Sequence, residues 1–175
     1  VRWQEATGFS HERDTIDRAL ECGAGGFIIF GGTPPEVRAL TAELDRRAGR
    51  RLLFAADLER GAGQQFTGLT EFPPPAALAA LQDPAVIRWA GAVTAREARS
   101  VGVSWVLAPV ADLDRERSNP IVQTRAFSAE ATEAATAVGE WIGACQGAGA
   151  RACAKHWPGH GGTTRASHDG LPIVS

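Results

Sequence analysis

The sequence predicts an α/β fold in which parallel strands are joined by helices. Short apolar runs alternate along the chain with segments of helical periodicity. No linker or internal boundary divides the 175 residues, and polar side chains gather directly after the apolar runs. Strands joined by helices form right-handed βαβ units around a parallel sheet, which is either closed as a barrel or open and doubly wound.

Each of four apolar runs is predicted to be a buried strand, because it is short and rich in residues that favour β structure. The runs are residues 26–30 (GFIIF), 52–56 (LLFAA), 105–110 (WVLAPV) and 152–156 (ACAKH).

The segments between the runs place apolar side chains on one helical face, at spacings of three or four residues. The predicted faces are Ile16, Ala19 and Leu20; Val37, Leu40 and Leu44; Val86, Trp89, Ala90 and Val93; and Ala134, Val138, Trp141, Ile142 and Cys145. The third of these faces belongs to a helix over residues 84–101.

Composition excludes several classes of protein. With 44% hydrophobic and 22% charged residues, the chain can bury a core of single-domain size, which excludes a disordered or fibrous protein. A net charge of −2 with scattered basic residues argues against a nucleic-acid partner. No apolar run reaches the roughly 20 residues that would span a bilayer, and no secretory signal is visible, so we expect no membrane partner.

Three cysteines favour a reducing compartment, and because no signal peptide is visible we expect a cytoplasmic location. Cys22, Cys145 and Cys153 are odd in number and none has CxxC spacing. The sequence therefore predicts neither a disulfide framework nor a thiolate zinc site.

Polar side chains that could carry chemistry follow the predicted strands. They are Asp57 and Glu59 after the second run, Asp112, Asp114 and Arg125 after the third, and Lys155, His156, His160 and His168 in or after the fourth. The carboxyl ends of parallel strands meet at one edge, which is where such folds place their active sites. We therefore interpret residues 57–83 and 111–127 as functional loops.

The segment KHWPGHGGTTRASHD, which begins at Lys155, holds three of the four histidines and allows three interpretations. His156 and His160 have the spacing of a helical zinc pair, but Pro158 and Gly159 break a helix and the glutamate of a HExxH site is missing. The histidines could instead anchor loop carbonyls. In the third interpretation the segment is a catalytic or sugar-binding loop, whose glycines allow close approach to a ligand.

The segment KHWPGHG resembles the KHFPGHG segment of glycoside hydrolase family 3, especially its β-N-acetylglucosaminidase-like branch. Other landmarks of that family follow in order: residues 56–65 (ADLERGAGQQ), 72–74 (FPP), 108–112 (APVAD), 119–121 (NPI) and 125–128 (RAFS). Together they cover most of the chain, from about Gly25 to Pro172.

The resemblance implies a (β/α)8 catalytic domain of the TIM-barrel type. Such barrels usually need about 250 residues, so residues 1–175 are expected to be a partial barrel domain that holds about the first five β/α units and is truncated at its C-terminus. Strand edges of an incomplete barrel would be exposed, so self-association is expected as well.

The resemblance also implies site residues. The positions that match the family's sugar-binding residues are Asp57, Arg125, Lys155 and His156. His168 matches the histidine that donates and then removes a proton, but Ala166 stands where the family has the aspartate that holds it; Asp169 is a candidate substitute. The family's aspartate nucleophile lies on a later loop. We do not assign its role to Asp112 or Asp114, which are expected to brace the loop after the third run.

The resemblance therefore predicts a retaining glycoside hydrolase that acts on a carbohydrate substrate and releases a terminal β-linked sugar, N-acetylglucosamine in this branch, by double displacement. No metal and no cofactor are expected. Three alternatives stay open: a β-glucosidase-type member of the family; a non-catalytic carbohydrate-binding relative, favoured by Ala166; and a metal-dependent hydrolase that uses His156, His160 and His168.

Overall fold

The computed structural model describes residues 1–165, Gly170, Leu171 and Ile173, and in this part of the chain one or two α-helices separate each strand from the next. The strands are β1 (Gly26–Ile28), β2 (Leu53–Ala56), β3 (Trp105–Val106) and β4 (Arg151–Ala152). The helices are α1 (Arg13–Glu21), α2 (Pro34–Ala48), α3 (Pro75–Ala79), α4 (Pro84–Ser100) and α5 (Ala131–Gly147).

These strands form one parallel sheet in the order β1-β2-β3-β4. Each begins within one residue of a predicted run. β2 ends with its run, whereas β1, β3 and β4 end before theirs, because the last residues of those runs already enter the loop that follows. The N-terminal segment lies parallel to β1, where Arg2 bridges Phe30 and the Trp3 amide donates to the Phe30 carbonyl. The predicted α/β class and all four runs are therefore confirmed.

Helix α2 shows how local sequence sets the boundaries of an element. Pro34 occupies its first turn, where a missing N–H costs nothing. The Glu36 carboxylate accepts hydrogen bonds from the Thr33 amide and hydroxyl and so caps the helix. Val37, Leu40 and Leu44 are buried against the sheet side, as their spacing predicts. None of the described helices is both long enough and apolar enough to cross a membrane.

The buried face of α4 differs from the prediction. Trp89 is 55% exposed and its ring packs edge-on against Phe72, with centroids 5.0 Å apart. The buried side of α4 instead consists mainly of small residues: Ala90, Gly91, Thr94, Ala95 and Ala98, with Ile87. The physical reason is the close approach of α5, since a Cβ on Gly91 would lie 2.5 Å from the Trp141 carbonyl oxygen.

Candidate active site

The carboxyl ends of β2, β3 and β4 carry the polar side chains that the sequence analysis singled out. Asp57 directly follows β2, Arg125 ends a 3-10 turn in the loop after β3, and Lys155 lies three residues beyond β4. Because the strands are parallel, these three residues reach the same edge of the sheet. The structure brings them together: Arg125 and Lys155 both contact Glu59, and Lys155 also contacts Asp57.

Glu59 lies between two cations and is almost completely buried, with its side chain 8% exposed. Arg125 donates to it with two nitrogens, Nε to Oε2 and Nη2 to Oε1, both at 2.8 Å. The Lys155 ammonium lies 2.7 Å from the same Oε1 and 2.7 Å from Oδ1 of Asp57. Two positive and two negative side chains therefore form one network.

The network shifts the pKa values of Glu59 and Arg125. Burial alone would raise the pKa of Glu59, but hydrogen bonds and charge from Arg125 and Lys155 outweigh burial and hold it below its usual range. The hydrogen bonds from Arg125 to Glu59 also raise the pKa of the guanidinium, against the effect of burial. Glu59 is thus ionised at neutral pH and fixes the positions of both cations.

His156 faces a different carboxylate. Its Nδ1 lies 2.5 Å from Oδ2 of Asp112, whose side chain is completely buried. The second oxygen of Asp112, Oδ1, accepts a hydrogen bond from the backbone N–H of His160. Hydrogen bonds from His156 and His160 hold the pKa of Asp112 below its usual range, although burial alone would raise it.

The position of Asp112 corrects the expectation that it braces the loop after the third run. It reaches across to the loop after β4 instead, because the two strand ends are joined there. Val110 bridges Lys155, and the Ala111 amide donates to the Lys155 carbonyl at 2.6 Å. Asp114 is exposed.

A second buried residue ties the same two loops together. Asn119 is 1% exposed, and its Nδ2 donates to the carbonyls of His160 and Thr163 at 2.6 and 2.8 Å. Its Oδ1 accepts from the amides of Ile121 and Val122, both at 2.8 Å. One amide side chain therefore satisfies backbone groups of both loops.

The metal interpretation finds no support in the part of the chain that the structure describes. There, no group of three or more histidine, cysteine, aspartate or glutamate side chains is arranged to hold a metal ion. His156 and His160 stack edge to face with centroids 5.3 Å apart, and Nδ1 of His160 is buried without a hydrogen-bond partner among the described residues. His168, the third histidine of that interpretation and the predicted proton donor, lies outside the described residues, as do Ala166 and Asp169.

Sequence reasoning missed the parts played by Glu59, Asp112 and Asn119. The charge balance of the predicted site could have identified Glu59. Two cations predicted at one edge of the sheet need more than one carboxylate near them, and Glu59 lies two residues after Asp57. For Asn119 the signal is its place in the family landmark at residues 119–121, which does not reveal its contacts between loops, because its Nδ2 donates to backbone carbonyls 41 and 44 residues away.

Comparisons with known proteins agree with this architecture. The sequence profile described as the glycosyl hydrolase family 3 N terminal domain matches residues 32–175. A beta-N-acetylglucosaminidase/beta-glucosidase of Cellulomonas fimi is 38% identical over 144 residues, which make up 82% of this chain and 26% of that protein. A beta-hexosaminidase of Alkalilimnicola ehrlichii is 36% identical over 180 residues, which cover 96% of this chain and 50% of that protein.

Similarity extends to solved structures. The family 3 beta-N-acetylglucosaminidase of Paenibacillus sp. str. FPU-7 superposes with a TM-score of 0.89 at 31% identity, over 96% of this chain and 34% of that one. The chain thus spans half or less of the length of each of these relatives. On this sequence match and this superposition, the chain belongs to glycosyl hydrolase family 3, and its sheet and helices have the TIM-barrel-like fold of the family's N-terminal domain.

Proposed function

We propose that the whole protein is a retaining glycoside hydrolase that releases a terminal β-linked N-acetylglucosamine from an oligosaccharide or glycoconjugate. The observation that carries the proposal is the convergence of Arg125 and Lys155 on the buried Glu59, with Asp57 paired to the same Lys155. A pyranose presents neighbouring hydroxyls, each of which both donates and accepts. Charged donors and acceptors held in fixed positions form strong, directed hydrogen bonds with such groups.

In this proposal the residues have distinct tasks. Asp57 accepts hydrogen bonds from the sugar, Lys155 and Arg125 donate to it, and His156 binds a further hydroxyl. His168 serves as the general acid that protonates the leaving group and then as the base that activates water. Glu59 holds the two cations and does not itself touch the sugar.

Asp112 is unsuited to the nucleophile's task. A nucleophilic carboxylate needs one oxygen free to attack the anomeric carbon. Both oxygens of Asp112 are occupied by the loop after β4, and its side chain is completely buried. The proposal therefore assigns the nucleophile to a different carboxylate.

The names of the relatives support the choice of sugar. The relatives from Alkalilimnicola ehrlichii and Paenibacillus are described as a beta-hexosaminidase and a beta-N-acetylglucosaminidase, and the Cellulomonas fimi protein is described by both N-acetylglucosaminidase and glucosidase activities. Two of the three descriptions name N-acetylglucosamine as the sugar that is released. The third, beta-hexosaminidase, is a more general term. The non-catalytic alternative is not favoured, because these relatives are described as enzymes.

The test uses the protein expressed from its complete gene. We expect it to cleave an aryl β-N-acetylglucosaminide faster than the matching aryl β-glucoside, and Lys155→Ala to lower kcat/KM by about a hundredfold or more, because a charged hydrogen bond to the sugar is lost. Arg117→Ala, at an exposed position of the loop after β3, is the matched control and is expected to leave kcat/KM unchanged.

Other outcomes separate the alternatives. Faster cleavage of the glucoside would overturn the choice of sugar and support the β-glucosidase alternative. Binding of N-acetylglucosamine by calorimetry without turnover would support the non-catalytic alternative. Release of a sugar phosphate only when phosphate is present would identify a phosphorylase, the activity by which a further structural relative is described.

A further inference from the structure

We propose that Asp112 is a positioning residue that sets the tautomer of His156, so that Nε2 of this histidine accepts a hydrogen bond from a sugar hydroxyl. The inference rests on the proposed function for the identity of the ligand. It specifies that His156 is the acceptor in its hydrogen bond with the sugar hydroxyl, whereas Lys155 and Arg125 can only donate.

The geometry around Asp112 is the first step. One carboxylate holds both the His156 ring, through Oδ2, and the His160 backbone, through Oδ1. The side chain of Asp112 is completely buried, whereas that of His156 is 32% exposed. The ring is therefore fixed on its inner side and accessible on its outer side.

Hydrogen-bond chemistry is the second step. An ionised carboxylate has no proton to donate, so the hydrogen in the bond between Asp112 and His156 belongs to Nδ1. The lowered pKa of Asp112 agrees with the ionised state. In a neutral imidazole whose Nδ1 carries the proton, Nε2 is an acceptor. Nε2 forms no hydrogen bond to another residue that the structure describes.

The packing of the histidine loop is the third step. A Cβ on Gly159 would lie 2.7 Å from Oδ1 of Asp112, closer than packed atoms allow. The loop therefore passes directly over the carboxylate, and a side chain at this position would push the carboxylate away from its two partners. Gly159 and the His160 amide thus lie directly against the Asp112 carboxylate, which is completely buried.

The first measurement reads the tautomer directly. In the protein expressed from its complete gene and labelled with ¹⁵N-histidine, long-range ¹H–¹⁵N correlation spectra distinguish a protonated Nδ1 from a protonated Nε2. The His156 signals are assigned by their loss in His156→Gln. We expect the Nδ1–H form in the wild-type protein. A wild-type spectrum in which only Nε2 is protonated would overturn the inference without any variant at Asp112.

The second measurement uses Asp112→Asn. An asparagine whose oxygen accepts from the His160 amide turns its NH2 group toward His156 and donates to Nδ1, so the loop stays anchored while Nε2 gains the proton. We expect the spectrum to change to the Nε2–H form and kcat/KM for the aryl β-N-acetylglucosaminide to fall by about ten- to a hundredfold. Asp114→Asn, two residues away and exposed, is the control and should change neither.

These outcomes keep the two proposals separate. A wild-type protein that cleaves no aryl glycoside would contradict the proposed function, while the spectra still decide whether Asp112 sets the tautomer. An active wild-type enzyme whose Asp112→Asn variant shows the reversed tautomer but unchanged kcat/KM would overturn the inference and leave the proposed function intact.

Discussion

Glu59 compensates two positive charges at a place that water hardly reaches. A buried carboxylate is costly unless it is paired and hydrogen-bonded. Here Arg125 donates two hydrogen bonds to the carboxylate oxygens of Glu59, both at 2.8 Å, and the Lys155 ammonium lies 2.7 Å from one of these oxygens. The stability of the site and the orientation of both cations therefore depend on one ionised group.

Glu59→Gln tests this dependence through pH. Because the pKa of Glu59 is below its usual value of 4.5, its carboxylate stabilises the fold above pH 4.5, and this contribution is lost as pH falls through the pKa in the folded chain. We expect urea unfolding to show Glu59→Gln less stable by about 2 kcal/mol at pH 7, with a difference that shrinks below pH 4.5.

Glu71→Gln is the matched control for this experiment. Glu71 pairs with Arg60 at 3.0 Å, but both side chains are more than two-fifths exposed. Solvent screens such a pair, so its removal should cost less than about 1 kcal/mol. An equal loss in both variants, or a loss at Glu59 that does not change with pH, would contradict the role given to Glu59.

Arg125→Lys tests whether the geometry of the guanidinium matters beyond its charge. Lysine keeps the charge but cannot form the two parallel hydrogen bonds that Arg125 gives Glu59. We expect kcat/KM for the aryl β-N-acetylglucosaminide to fall by about tenfold or more, while Arg115→Lys, in the exposed part of the same loop, leaves it unchanged. Full activity in Arg125→Lys would show that charge alone is sufficient.

The sequence predicted which residues lie at the site better than it predicted which of them form hydrogen bonds with one another. Asp57, Arg125 and Lys155 follow strands, so the rule that parallel strands place chemistry at their carboxyl ends was enough to group them. The pairing of His156 with Asp112 across 44 residues depends on how two loops cross. Strand order does not determine that crossing.

The contact between α4 and α5 shows what helical periodicity leaves open. Apolar spacing predicted a helix over residues 84–101, and α4 spans Pro84–Ser100. Periodicity also favoured Trp89 as a buried residue, but the short distance to α5 leaves room only for small side chains. How closely two helices approach depends on both of them. The sequence of one helix therefore predicts where that helix begins and ends better than it predicts which of its residues are buried.

Gly91→Ala tests this close approach. The added methyl group would meet the Trp141 carbonyl oxygen at 2.5 Å, and a backbone atom cannot move aside without shifting α5. Thermal or urea unfolding of the chain should show a loss of about 1–3 kcal/mol. Gly139→Ala in α5 is the control, since a Cβ there meets nothing within 4 Å, and it should stabilise the chain by up to about 1 kcal/mol through helix propensity. Equal effects of the two changes would contradict the packing argument.

On the scale of the whole molecule, a hydrophobic core built from the described residues joins the sheet to the helices around it. Side chains from the strands, such as Phe54 and Val106, pack with Val37 of α2, Trp141 and Cys145. The alternation of runs and helices predicted this layered arrangement, because each element must bury its apolar face against another. Opening the core should therefore expose Cys145 only when the molecule unfolds as a whole.

Thiol labelling tests that cooperativity. Cys145 is fully buried, and burial raises the pKa of its thiol to about 11, so little reactive thiolate forms at pH 8. In a chain with Cys22→Ser and Cys153→Ser, iodoacetamide should label Cys145 only along the urea unfolding transition. A chain that retains only the exposed Cys22 should react without urea. Rapid labelling of Cys145 in the native chain would contradict a single closed core.

Sedimentation of the 175-residue chain tests the expected self-association. The amides of Arg151 and Cys153 donate to the carbonyls of Ser104 and Ala108, on the side of β4 that faces β3. The amide of Ala152, which lies between them, therefore points away from β3, to the other edge of β4. An unpaired edge can pair with another molecule. We expect association that increases with concentration and weakens in Ala152→Pro, which removes that donor. A monomer at every concentration would contradict the expectation.

The double anchoring of the histidine loop has a consequence for protein engineering. Asn119 and Asp112 belong to the loop after β3, yet they supply acceptors and donors for the backbone of the loop after β4. Grafting the histidine segment of a relative onto this scaffold, or shuffling such segments in a library, has to transfer both loops as one module. A chimera that receives only one of the two loops would contain backbone amides and carbonyls without the side chains that form hydrogen bonds with them in the parent protein.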